Sequence, residues 1–153
     1  MPEWLSALDI PWLYSYAGLF LVAFLAASLL PLGSEWLLLL LLSQGADAQA
    51  LWLVASSGNV LGSVLNYGIG AGVFIWLRRN KGAESSADKG RGWVWAQHWY
   101  QRYGVWSLLL AWLPVVGDPL TLIAGLLRAP FWLFLLLVSI GKAGRYALLI
   151  LMV

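Results

Sequence analysis

Apolar residues in this chain come in long runs, and the few polar interruptions divide it into segments. Residues 1–10 are polar and acidic, with Glu3 and Asp9 and no Lys or Arg. Residues 11–30 form an apolar, helix-like span that Pro31-Leu32-Gly33-Ser34 breaks. The leucine run 36–42 is too short to cross a hydrocarbon core about 30 Å thick at 1.5 Å per residue. Residues 43–49 form a polar turn containing Asp47. Residues 51–77 are long enough to span, yet they hold Ser56, Ser57, Gly58, Asn59, Gly62, Ser63, Asn66, Tyr67, Gly68, Gly70 and Gly72. Gly58/Gly62 and Gly68/Gly72 are small-xxx-small pairs of the kind that lets helix backbones approach, so this helix is expected to pack against protein along most of its length. Residues 81–92 read as a flexible Gly/Ser/Ala-rich linker, and 93–103 as a short helix whose Trp95, Trp99 and Tyr103 recur every four residues in the headgroup zone. Residues 105–127 are apolar but broken at Pro114 and again at Gly117-Asp118-Pro119. After a basic turn at Arg128-Ala129-Pro130, residues 131–153 form the last apolar span, which carries Lys142 and Arg145.

Composition narrows the class. The 153 residues are 61% hydrophobic and only 10% charged, with mean hydropathy +0.79, where soluble domains carry about 25% charged residues. The reading is an all-α integral membrane protein forming one membrane domain over residues 1–153. The start, Met1-Pro2-Glu3-Trp4, has no basic stretch, which argues against a cleaved signal peptide. With no cysteine and a single histidine, disulfides, thiolate chemistry and multi-histidine metal sites are excluded. No Ser/His/Asp arrangement suggests an enzyme, and no cofactor is expected. The net charge of +2 is too small to imply nucleic acid. Residues 78–102 hold six basic against two acidic side chains, a local +4 that leaves −2 for the rest. The positive-inside rule places this loop in the cytoplasm, where it would also attract anionic lipids.

An internal echo then organises the chain. Leu30-Pro31-Leu32-Gly33-Ser34-Glu35 and Leu113-Pro114-Val115-Val116-Gly117-Asp118 each run leucine, proline, three residues, carboxylate, and the same shift lays Gly58 on Gly141. Repeat one covers about 11–77 and repeat two about 104–153. Each proline-broken segment is either a kinked span or a re-entrant hairpin. The short arm 36–42 favours a hairpin for the first, opening outside, while the second would open to the cytoplasm. The helices after them run in opposite directions, which makes the repeats inverted. Broken helices at membrane depth survive only when buried in protein or lining a polar cavity, and inverted repeats of this kind are a recurrent transporter plan.

Glu35 and Asp118 are the leading candidate site residues. A carboxylate in hydrocarbon costs about 2.5–3.5 kcal/mol at a helix centre and is usually paired, protonated or solvated. Lys142 and Arg145, three apart on the last helix, share a face about 18–22 Å beyond Pro130. The functional reading is a midplane charged site in which the acids take a proton or cation and the bases an anionic headgroup such as phosphate. The structural readings are static ion pairs, or snorkelling of Lys142 and Arg145 to the outer interface. Pro31, Gly33, Pro114, Gly117 and Pro119 are the candidate hinge residues; Pro31 and Pro114 free backbone groups and expose helix N-termini, or merely kink the chain. Asn59 and Asn66 either line the cavity or hydrogen-bond between helices. Gly58, Gly62, Gly68, Gly72, Gly125, Gly141 and Gly144 are assigned to helix packing, and the glycine stripes admit a homodimer. His98 reads as an interfacial polar residue.

The motifs Leu30–Glu35, Gly58-Asn59-Val60-Leu61-Gly62, Arg102-Tyr103-Gly104, Trp112–Asp118, Ala124-Gly125 and Gly141-Lys142-Ala143-Gly144-Arg145-Tyr146 together resemble the DedA family, within the VTT-domain (SNARE-associated Golgi protein) grouping and its small YqaA-like subgroup. The resemblance covers nearly the whole chain. It implies a multi-pass protein of the bacterial inner membrane with two opposed re-entrant hairpins. It also implies flipping or scrambling of phospholipids or polyprenyl phosphate carriers, sometimes linked to the proton-motive force. The family's hairpin acids carry over to Glu35 and Asp118. The arginines that usually flank the second hairpin proline are absent, since Ala111-Trp112-Leu113-Pro114-Val115-Val116-Gly117 stands there, and so is the acid usually found upstream of the first hairpin. Lys142 and Arg145 are expected to supply the missing positive charge. A proton- or cation-coupled carrier of a small solute and a non-transporting scaffold are the alternatives.

Overall fold

The structure, a computed structural model, describes residues 15–28, 33–80, 98, 100–113 and 116–153. Among the described residues there is helix and no strand. The order is α1 (Tyr16–Ser28), α2 (Glu35–Ser43), α3 (Ala48–Arg79), a 3-10 helix (Gly104–Trp112), α4 (Gly117–Leu126) and α5 (Phe131–Leu151). Pro31, Pro114 and the linker expected over 81–92 lie outside the described residues. Of the helix expected over 93–103, His98 and residues 100–103 are described and helical.

Length sorts these elements. Among the described residues α3, with 32 residues, and α5, with 21, are the two helices long and apolar enough to cross a membrane. At helical rise they extend about 48 and 32 Å. The 13 residues of α1, 9 of α2 and 10 of α4 reach only about 14–20 Å, and the 9 of the 3-10 helix about 18 Å. Each falls short of a core about 30 Å thick.

The ends of the short helices are set by local chemistry, and they match across the echo. The α2 helix ends in a Schellman turn: Gly45, at φ 85°, donates to Leu42 O and Ala46 N to Leu41 O. The same pair of bonds closes α4, where Arg128, at φ 54°, donates to Gly125 O and Ala129 N to Ala124 O. Gly45 and Arg128 stand 83 positions apart, as do Asp47 and Pro130, the N-caps of α3 and α5. Asp47 caps α3 through its side chain, which accepts from Ala50 N at 2.8 Å. The order short helix, break, short helix, Schellman turn, long helix therefore occurs twice.

One expectation is corrected. Gly117-Asp118-Pro119 does not break the second segment; it is the first turn of α4. A proline is compatible there, because the first N–H groups of a helix have no intrahelical acceptor. The segment before it winds as a 3-10 helix, whose threefold repeat stacks buried Leu108 and Ala111 on one side.

The α3 helix is the hub, packed by α1, α4 and α5. Lipid tails are as apolar as leucine, so close backbone approach rather than hydrophobic transfer favours such contacts. A Cβ on Gly58 or Gly62 would lie 2.6 Å from the carbonyl oxygens of Phe20 and Phe24 on α1. Gly70 on α3 meets Leu122 O on α4, and Gly125 on α4 meets Tyr67 O on α3, so these two glycines let both backbones close from both sides. Gly141 brings α5 against the 3-10 helix at Leu109 O. Gly68, Gly72 and Gly144 have no described atom near a would-be Cβ. Opposite the packed face of α3, Leu61, Leu65, Ile69, Val73 and Trp76 are exposed, as a lipid-facing side requires.

Candidate functional site

A small cleft of about 30 Å³ lies where the ends of α1, α2, the 3-10 helix and α4 meet the middles of α3 and α5. Its polar lining comes from Ser34, Glu35, Asn59, Asp118, Lys142 and Arg145. That is room for one or two waters, so a larger group enters only if the walls part.

Each carboxylate sits in the first turn of a short helix, where the helix dipole favours negative charge. Glu35 folds back over Gly33, whose missing Cβ leaves room for the carboxylate. Glu35 pairs with Arg145, and Asp118 with Lys142 at 3.2 Å. The two pairs differ in how burial is shared. Glu35 and Arg145 are 24% and 22% exposed, whereas in the second pair Lys142 is only 5% and Asp118 32% exposed. All four candidate charges thus meet in one cleft, with no net charge between them.

A neutral chain of hydrogen bonds runs between the pairs. Lys142 Nζ donates to Asn59 Oδ1 at 2.5 Å, and Asn59 Nδ2 donates to Tyr146 Oη at 2.8 Å. Tyr146 Oη lies 2.5 Å from Ser34 Oγ, beside Glu35. The amide orientation of Asn59 follows from chemistry: an ammonium only donates, so the carbonyl oxygen must face Lys142. Asn59 and Lys142 are themselves 83 positions apart, so the two halves of the echo touch at matched residues.

Asn66 is not part of the cleft lining. It donates to Ala27 O at 2.8 Å and Thr121 Oγ1 at 3.3 Å, tying α1, α3 and α4 together. Thr121 in turn donates to Asp118 O and steadies the first turn of α4. Gly117 packs against the backbone of Ala111 and Pro119 lies in that turn, so both shape the wall under Asp118. His98 is exposed and outside the cleft. Among the described residues no cluster of metal-ligating side chains occurs.

Sequence reasoning missed Ser34, which lines the cleft, and Tyr146, which lies behind the lining and bonds Ser34 and Asn59. Tyr146 lies four residues after Lys142, hence on the same helix face, and Ser34 directly precedes Glu35. Both signals were present, but a tyrosine and a serine in apolar surroundings have many other uses.

The VTT domain profile matches residues 12–153. A Haemophilus influenzae protein described only as uncharacterized is 39% identical over 144 residues, covering 89% of this chain and 85% of the relative. The inner membrane protein YqaA of Escherichia coli K12 is 38% identical over 133 residues, 86% of each chain, and the protein of the same name from Shigella flexneri matches equally. No solved structure matches. The profile takes in both long helices, both short-helix units and every residue of the cleft, so the chain belongs to the VTT-domain (DedA) family.

Proposed function

We propose that this chain is a multi-pass protein of the bacterial inner membrane that carries lipid headgroups between leaflets through the charged cleft. The naming of its relatives as inner membrane proteins supports the location. Over the described residues two units, α1–α2 and the 3-10 helix with α4, are each made of helices too short to cross, and we read both as re-entrant hairpins. With residues 78–102 cytoplasmic, α3 runs inward and α5 outward, so the hairpins enter from opposite faces and the repeats are inverted. The recurrence of the Schellman turn and of the long-helix start at one shift supports this reading.

The single observation that carries the transport reading is the meeting of Glu35, Asp118, Lys142 and Arg145 in one half-open cleft. A guanidinium binds carboxylate and phosphate by the same planar fork of donors, so a phosphate-bearing headgroup competes with Glu35 for Arg145. A proton on Glu35 would favour the exchange by removing the competing charge. The tails stay in the bilayer while the headgroup passes the cleft. No chemical conversion of the lipid is part of this reading.

The test is reconstitution in liposomes carrying a labelled phospholipid in one leaflet. Wild type is expected to equilibrate the label, and Glu35→Gln and Arg145→Ala to lose most of that activity. A Glu35→Gln protein as active as wild type would leave the cleft a structural feature and favour a scaffold. Ion-gradient-dependent solute uptake without lipid movement would favour the solute carrier.

A further inference from the structure

Ser34 stands at the N-cap of α2, where a serine hydroxyl ordinarily accepts a hydrogen bond from an N–H of the first helical turn. It makes no such bond here. Its hydroxyl is turned instead to Tyr146 Oη on α5, 112 positions away, and both side chains are 1% exposed. Asn59 Nδ2 donates to the same phenol oxygen, and either hydroxyl of the Ser34–Tyr146 pair can donate to the other. A local cap has been exchanged for a long-range link at the residue next to Glu35.

The second hairpin has no counterpart. The position matching Ser34 is Gly117, which has no hydroxyl, and that tip is held through the Asp118–Lys142 ion pair. The start of α2 therefore has a neutral fastening beside its ion pair. We infer that the Ser34–Tyr146 hydrogen bond is a latch: it fastens the start of α2 to α5 and sets how often the cleft opens between Glu35 and Arg145. Tyr146 is thus a positioning residue. This inference rests on the reading of the cleft as the transport site. Glu35 cannot move away from α5 with its helix end while Ser34 remains bonded, because the two are adjacent in the chain.

The chain has no cysteine, so Ala26→Cys at the cleft wall is a single reporter of opening. Its labelling by a water-soluble maleimide is measured in proteoliposomes, with lipid transfer followed in parallel. Ser34→Ala is expected to raise the labelling rate about fivefold, the worth of one neutral hydrogen bond. Tyr146→Phe raises it at least as much, the double variant no more than Tyr146→Phe alone, and Ser34→Thr returns it to the wild-type rate. A purely structural bond would lower the melting temperature and leave the labelling rate of folded protein unchanged, which overturns the latch; so does a double variant whose effects multiply. If Tyr146→Phe does not fold, the contrast between Ser34→Ala and Ser34→Thr decides alone. Labelling that responds as expected in a protein that moves no lipid supports the latch and refutes the transport reading. Lipid transfer with labelling indifferent to Ser34→Ala does the reverse.

Discussion

Replacing Lys142 by methionine keeps the length and apolar stem of the side chain and removes only its charged end. In the native cleft that end, 5% exposed, donates to Asn59 Oδ1 at 2.5 Å and to Asp118 Oδ1 at 3.2 Å. Lys142→Met leaves the Asp118 carboxylate without its counter-ion and Asn59 Oδ1 without its donor. Breaking a buried ion pair from one side destabilises by about 3–5 kcal/mol. Asp118 is 32% exposed, so water reaches it and the expected loss falls to about 2–4 kcal/mol. At about 2–4 °C per kcal/mol for a chain of this size, the melting temperature should drop by roughly 5–15 °C. The assay is thermal unfolding of purified protein in detergent, followed by circular dichroism or loss of the monodisperse peak. The decisive comparison is Lys142→Met combined with Asp118→Asn. Removing both charges eliminates the stranded carboxylate, so the double variant should melt above Lys142→Met alone. A Lys142→Met protein as stable as wild type, or a double variant whose losses add, would refute the claim that Lys142 is held in place by this pair.

The other predictions concern packing, bonding and orientation. Gly125→Val should destabilise by more than about 3 kcal/mol, because its side chain would enter the Tyr67 backbone, whereas Gly68→Ala and Gly72→Ala should match or exceed wild-type stability; unfolding in detergent compares them. Asn66→Ala should cost about 1–2 kcal/mol by leaving Ala27 O without its donor, yet leave lipid transfer per folded molecule near wild type, since Asn66 lies outside the cleft lining. A cysteine at Ser85 should label in inverted membrane vesicles and stay protected in intact cells, and the opposite pattern would invert the proposed orientation.

Much of this architecture was legible in the linear order of residues. The long helices follow from apolar runs of 20 residues or more, because span length is a property of consecutive positions. The echo pointed to Glu35 and Asp118 and the last apolar span to Lys142 and Arg145, because charge in an apolar segment is conspicuous wherever it occurs. One local reading failed, and another found no partner among the described residues. Gly117-Asp118-Pro119 contains the residues of a turn, but the same residues suit the first turn of a helix, and what precedes them decides between the two. Gly68/Gly72 and Gly58/Gly62 have the same spacing, yet only the latter pair meets α1, since spacing does not say which side of a helix faces a neighbour.

The amino-acid sequence alone determined that this is a helical membrane protein, where its spans are interrupted and which charges had to be explained. Hydropathy, proline and carboxylate act residue by residue, so a linear reading suffices for them. Only the tertiary structure decided that Glu35 belongs to Arg145 and Asp118 to Lys142, that Asn66 binds helices while Asn59 lines the cleft, and that Ser34 forgoes its cap for Tyr146. Those partnerships join residues up to 112 positions apart, and they depend on the rotation and depth at which helices dock, which no local pattern encodes.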